Sequence, residues 1–427
     1  MSPLSKILEK AIYEQIYDYF DRNKLLHSSL HGFRKHRSTT TALLSMYNKW
    51  VEAASYGKVT GVVLVDLSAA FDLVSPALLT KKLTIYGLDK SFVSWILSYL
   101  TDRHQTVWID HLYSNFIENS VGVPQGSILG PLFFLIYFND LPAVIDTDVE
   151  GYADDTTMSK SGDTLENVSS SLAVACDSLC KWTKENHCKL NANKTHLLVL
   201  RTSNKFKNMP DRLNVPMEGF MLQESVKTSE MLLGVKLQLD LKWTEQISFL
   251  SCKLSKRLAC LEKLRHIMGV NLRKTIVEGI FNSILCYCLP VFGGCSQHDL
   301  KSLQIQQNRA ARLVLLAPPR ANRKLMFDKL SWLSVNQLIA YHTIIAVFRI
   351  RQAKEPEDLA VPLLTDSRQG RIMLKNLRLD LYRNSFVYRG SQLWNRLPQS
   401  IRGLEKLSAF KKSAKIWVMA NIIRFTD

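Results

Sequence analysis

The chain has 427 residues, 46% of them hydrophobic and 9% aromatic, with no internal repeat and no long Pro/Ser/Gly-rich tract, which excludes a disordered tail and leaves room for two to four subdomains. The formal net charge of +17 is unevenly spread: residues 1–240 carry 24 basic and 26 acidic side chains, residues 241–427 carry 31 and 12. A near-neutral segment followed by one of net +19 suits a polyanion partner, whose phosphates Lys and Arg contact with counterion release; the plain alternative is a solvated basic surface.

The opening residues 1–10 lack an apolar signal core, and the strongest apolar run, residues 131–138, is too short to span a bilayer. The expectation is a soluble intracellular protein of nucleus, cytoplasm or both, with no membrane partner. Eight scattered cysteines in such a chain read as reduced thiols. Cys286-x-Cys288 with Cys295-x-x-His298 can be drawn as a zinc site, but the stretch is apolar and the spacing is not that of a knuckle, so buried thiols are expected there and at Cys176, Cys180 and Cys188.

In chain order, three-four apolar spacing predicts a helix over 5–26, then a Gly-bearing cationic loop at 31–38, then a helix capped by Ser38 or Thr39 and running past Trp50. Residues 61–66 form an apolar, β-branched run that ends on Asp66, as expected of a buried strand delivering a carboxylate to a site edge. Helices follow at 77–86, stopped by Gly87, and at 92–100, then the start of a hairpin at 102–109. Gly122–Ser127 is a loop, and Pro131 opens an apolar helix to Asn139. Tyr152–Asp155 makes a hairpin turn, residues 165–187 an amphipathic helix, and 195–201 and 231–239 strands, with Gly234 permitting close backbone approach. Beyond Trp243 the pattern is helical at 244–268, 272–288, 299–316 and 333–353; Pro318-Pro319 and residues 355–358 are candidate joints.

Tyr152-Ala153-Asp154-Asp155 places a carboxylate pair 88 residues after Asp66. An isolated Asp-Asp turn is usually a solvated hairpin tip, but carboxylates on two separate strands can hold a pair of Mg²⁺ ions for in-line nucleotidyl transfer. Together with Gly32-Phe33-Arg34, the Gly122–Ser127 loop, Leu190–Thr195 and Leu233-Gly234-Val235, they form an ordered series that resembles the reverse transcriptases of non-LTR retrotransposons, over nearly the whole chain. Residues 66–72, 122–131 and the terminal Leu393-Trp394-Asn395-Arg396-Leu397-Pro398 look most like the jockey and chicken-repeat-1 lineages.

The resemblance implies an α/β polymerase right-hand fold: truncated fingers at 1–60, a palm with an antiparallel sheet at 61–240, a helical thumb at 241–330, and a basic C-terminal region at 331–427. It implies RNA-directed DNA synthesis from an RNA template, a DNA primer and dNTPs, with two Mg²⁺ ions as cofactor and Mn²⁺ as a substitute. Asp66 and Asp154 would be the main metal ligands, with Asp155 beside them and the Leu67 carbonyl as a further ligand. Phe71 would lie under the sugar and exclude a 2′-hydroxyl. Gln125 and Gly126 would meet nucleotide and template; Arg34, Lys35 and Arg37 would meet phosphates; Lys194 would protonate the departing pyrophosphate. Relatives carry a longer fingers segment and many an upstream endonuclease, and neither precedes Met1, so the rival expectation is a catalytically impaired remnant that only binds nucleic acid. A metal-dependent nuclease stands further off.

Overall fold

A computed structural model describes residues 3–202, 212–365, 371–375, 377 and 379–421. Packing groups the chain into two units, Met1–Ser38 with Val59–Val199 and Met209–Ser225, and Thr39–Lys58 with Leu200–Asn208 and Val226–Asp427. These boundaries do not follow the sequential four-part division: the Thr39–Ser55 helix packs with the C-terminal helices, and neither Pro318-Pro319 nor 355–358 separates units.

In the first unit, Val, Thr and Leu make β1 (Val59–Val65) a strand buried along nearly its whole length. A two-residue β2 (Leu67–Ser68) follows, then the Pro76–Ile85 helix, capped by Ser75, and the Lys90–Leu100 helix, capped by Asp89. A nested hairpin of β3 (Arg103–Gln105), β4 (Trp108–Ile109), β5 (Leu112–Tyr113) and β6 (Ile117–Asn119) holds its apolar tip in solvent. The helix after it, Leu129–Tyr137, begins two residues before Pro131 and is apolar all round, so it is buried on every side rather than along one stripe.

The strands β7 (Asp148–Tyr152) and β8 (Asp155–Gly162) complete the main antiparallel sheet, with β9 (Lys189–Leu190) pairing β2 and β10 (His196–Leu200) on the far edge of β1. The order in that sheet is β10-β1-β8-β7. The amphipathic Leu165–Glu185 helix covers one face, and Val168 and Leu172 fill the space left by the missing side chain of Gly61. A small hairpin of β11 (Asn214–Met217) and β12 (Phe220–Gln223) has no counterpart in the pattern expected above. Glu218-Gly219 at its tip was the available signal.

Two expectations for the second unit need correction. Residues 231–239 are not one strand but a hairpin of β13 (Ser229–Leu232) and β14 (Val235–Gln238), and Gly234 sits in its two-residue turn at φ +76. The helix expected over 272–288 is Val270–Val277, a π-turn at Glu278–Asn282 and Ser283–Cys286, ending where Cys288 takes φ +49. Thr244–Leu264 and Gln297–Leu315 pack on each other, and Val335–Ala353 forms the centre of the C-terminal helices. By length and composition Arg323–Ala353 could cross a membrane. It is broken at Ser331, however, and Ile339, Ile344, Val347 and Phe348 are buried in the unit's own core, Phe348 stacked on Phe410 at 4.0 Å. Burial pushes the Cys286 thiol up to about 11 and the Cys295 thiol up to about 12.

Candidate active site

The β1–β8 ladder pairs Val65 with Thr156, and continuing that register puts Asp66 level with Asp155. β7 and β8 close on Tyr152↔Asp155, so Ala153 and Asp154 form the two-residue turn. Ala153 bears a left-handed φ of +56, which costs a residue with a Cβ about 1 kcal/mol. The turn is held there from outside. Residues Ser29–His31 run along the β7 edge, with His31 N–H donating to the Gly151 carbonyl at 2.7 Å and Gly151 N–H to the Ser29 carbonyl at 2.9 Å. Behind them the buried His31 Nε2 and Glu150 Oε2 lie 3.0 Å apart. Gly32 then crosses the turn so closely that a Cβ on it would stand 2.4 Å from the Ala153 nitrogen, which explains a glycine at this position.

The turn borders a cleft of about 450 Å³ lined by Ala69, Phe71, Asp72, Gln125, Gly126 and Asp154, among others. Phe71 is half-buried and stacks on Phe134 at 4.0 Å, with Phe33 edge-on to both. Glu9, a buried acid that the sequence pattern does not single out, accepts from Ile128 N–H at 2.6 Å and from the Tyr99 hydroxyl at 3.1 Å. It thereby anchors the segment that follows Gly126, and Tyr99, pushed up to about 12 chiefly by burial, stays a donor.

Asp155 is solvent-accessible yet crowded: burial, then the charges of Asp154 and Asp66, raise its carboxyl above the ordinary aspartate value. Among the described residues none of these three carboxylates has an ion pair with Lys, Arg or His. An uncompensated cluster of that kind fits a divalent cation. No three His, Cys, Asp or Glu side chains among the described residues close into a metal cage. A Mg²⁺ ion is commonly held by only one or two carboxylates, with water and substrate phosphates completing its shell.

The remaining candidates are held by contacts of their own. Asp66 accepts through its carbonyl from Asn191 N–H at 2.9 Å, so the next carbonyl along, that of Leu67, turns to the opposite edge, away from β9. The same contact hangs the Asn191–Thr195 turn on Asp66, and Lys194 is exposed on that turn. Arg34, Lys35 and Arg37 are engaged locally: Arg34 Nη1 donates to the His27 carbonyl at 2.7 Å and the Leu30 carbonyl at 3.3 Å, Lys35 pairs with Asp18 at 3.3 Å, and Arg37 donates to the Ser28 carbonyl. These contacts brace the loop that clamps the Ala153 turn, a role that residue type alone did not suggest.

A family model described as "Reverse transcriptase (RNA-dependent DNA polymerase)" matches residues 1–254. The chain is 24% identical over 361 residues to a probable RNA-directed DNA polymerase from transposon BS of Drosophila melanogaster, a match covering 80% of this chain and 38% of that protein. It is 25% identical over 327 residues to the RNA-directed DNA polymerase from mobile element jockey of the same organism, covering 74% and 35%. The chain thus spans well under half the length of these relatives. Among solved structures, apo telomerase from Candida tropicalis aligns with 97% of this chain and 61% of its own at 13% identity and a TM-score of 0.42.

Proposed function

Because the chain belongs to the reverse transcriptase (RNA-dependent DNA polymerase) family, we propose that it extends a DNA primer with dNTPs on an RNA template, with divalent metal, foremost Mg²⁺, held by Asp66 and Asp154 and assisted by Asp155 and the Leu67 carbonyl. The observation that carries this reading is the register that sets Asp66 level with Asp155 at the mouth of a cleft whose wall contains Asp154, Phe71 and Gln125. When bound, such ions lower the cost of deprotonating the primer hydroxyl and of charge on the departing pyrophosphate.

The rest of the chemistry falls to the chain's own groups. The Ala153 turn, clamped by Gly32 and the Ser29–His31 edge, holds the carboxylates in place before substrate arrives, so little reorganisation is left for the chemical step. Phe71, fixed by its stack on Phe134, presents a ring where a 2′-hydroxyl would have to fit. Gln125 and Gly126 line the same cleft and meet nucleotide and template, and Lys194, on the turn bonded to Asp66, is the proton donor to pyrophosphate. The exposed Lys253, Lys256 and Arg257 on the Thr244–Leu264 helix contact template-primer phosphates.

Primer extension on an RNA template with Mg²⁺ tests the reading. The purified chain should add dNTPs, and Asp154→Asn should abolish addition while binding template-primer within about twofold of the parent. Equal extension by the variant would remove Asp154 from the chemistry.

A further inference from the structure

Gln125 Nε2 donates to Asp72 Oδ1 at 3.2 Å across the cleft wall. A carboxylate oxygen accepts, so this partner dictates which end of the amide faces it: the nitrogen turns to Asp72 and the oxygen, Oε1, is turned away from it. The two segments involved are also joined through their backbones, with Val123 N–H donating to the Phe71 carbonyl at 3.1 Å and Gly122 N–H to the Val74 carbonyl at 2.8 Å. Asp72 and Gln125 therefore move together, although both side chains are exposed in the free protein.

We infer that Asp72 is a positioning residue that fixes the Gln125 amide with Oε1 turned to the cleft, so that the cleft presents an acceptor to a hydroxyl or amino donor on the bound nucleotide or its template partner. The inference rests on the polymerase reading above. Without Asp72 the amide can rotate by half a turn and offer Nε2 instead, which removes one acceptor and places a donor against a donor. Water competes for the Asp72–Gln125 bond in the free protein, and a bound nucleotide strengthens it by excluding that water.

The test is a double-mutant cycle read as dNTP affinity in a stalled complex of RNA template, dideoxy-terminated primer and Mg²⁺, so that no turnover is required. Asp72→Ala should weaken dNTP binding by up to about tenfold, the upper end for one neutral hydrogen bond. In a Gln125→Ala background the same substitution should change affinity by less than about twofold. Asp72→Asn, whose Oδ1 still accepts, should recover part of the loss. Should Asp72→Ala not fold, the cycle is run with Asp72→Asn, whose smaller loss must likewise vanish once Gln125 is gone. Equal losses in both backgrounds, or no loss in either, overturn the inference while leaving the polymerase reading intact. A parent chain that neither binds dNTP nor extends a primer refutes the reading, and the inference with it.

Discussion

Replacing Gly32 with Ala should slow synthesis far more than it weakens nucleic-acid binding. A Cβ at this position would lie 2.4 Å from the Ala153 nitrogen, 3.1 Å from its Cα and 3.3 Å from the Tyr152 carbonyl carbon, all of them backbone atoms that no side-chain rotation can move aside. Ordinary contact for such an atom begins near 3.4 Å, so the Ser29–Gly32 edge and the Ala153 turn must separate by about 1 Å. Overpacking of that kind costs about 1–3 kcal/mol of stability. A displacement of about 1 Å at the carboxylates costs on the order of a hundredfold in the chemical step. Single-turnover primer extension, template-primer affinity and a thermal melt on the same preparation separate the three effects. Gly279→Ala, at an exposed helical position where the Cβ would meet nothing within 4 Å, serves as the control and should extend primers at the parental rate. A Gly32→Ala chain that extends primers at the parental rate would refute the clamp argument.

Phe71→Ala should relax discrimination against ribonucleotides, read as the ratio of kcat/KM for dNTP and rNTP; an unchanged ratio would leave the ring as packing against Phe134 alone. Asp155 has a carboxyl raised above its ordinary value of 3.8, so its contribution to stability is present below that value and is lost as pH rises through the raised one. Asp155→Asn should therefore melt higher than the parent at neutral pH in metal-free buffer, and the gap should close toward pH 3.8; a gap that does not vary with pH refutes the repulsion. Replacing exposed Lys253, Lys256 and Arg257 with Gln should make the plot of log affinity against log salt shallower by roughly 2–3, at about 0.7–0.9 per phosphate contact. An unaltered slope would place the phosphate contacts elsewhere.

Much of the candidate site was legible in the chain because its residue types leave few readings. A β-branched run ending on Asp66, an Asp-Asp turn further on and a Gly-Pro loop between them name a chemistry before any fold is known, and local periodicity places most of the helices to within a few residues. The glycine of Gly32-Phe33-Arg34 was visible, but its reason was not: it is the Ala153 nitrogen, more than a hundred residues away, that forbids a side chain there. Glu9 reads as one more acid on the exposed stripe of an amphipathic helix, and only packing turns it inward to hold Ile128 and Tyr99. Arg34 and Arg37 carry the right charge for phosphate, yet the carbonyls they reach depend on how their loop folds back on itself. Sequence thus determined which groups are available and their local conformation, since both follow from side-chain chemistry and short-range sterics. Tertiary structure decided which of those groups meet, because strand register and close backbone approach are set by contacts between segments that no local pattern encodes.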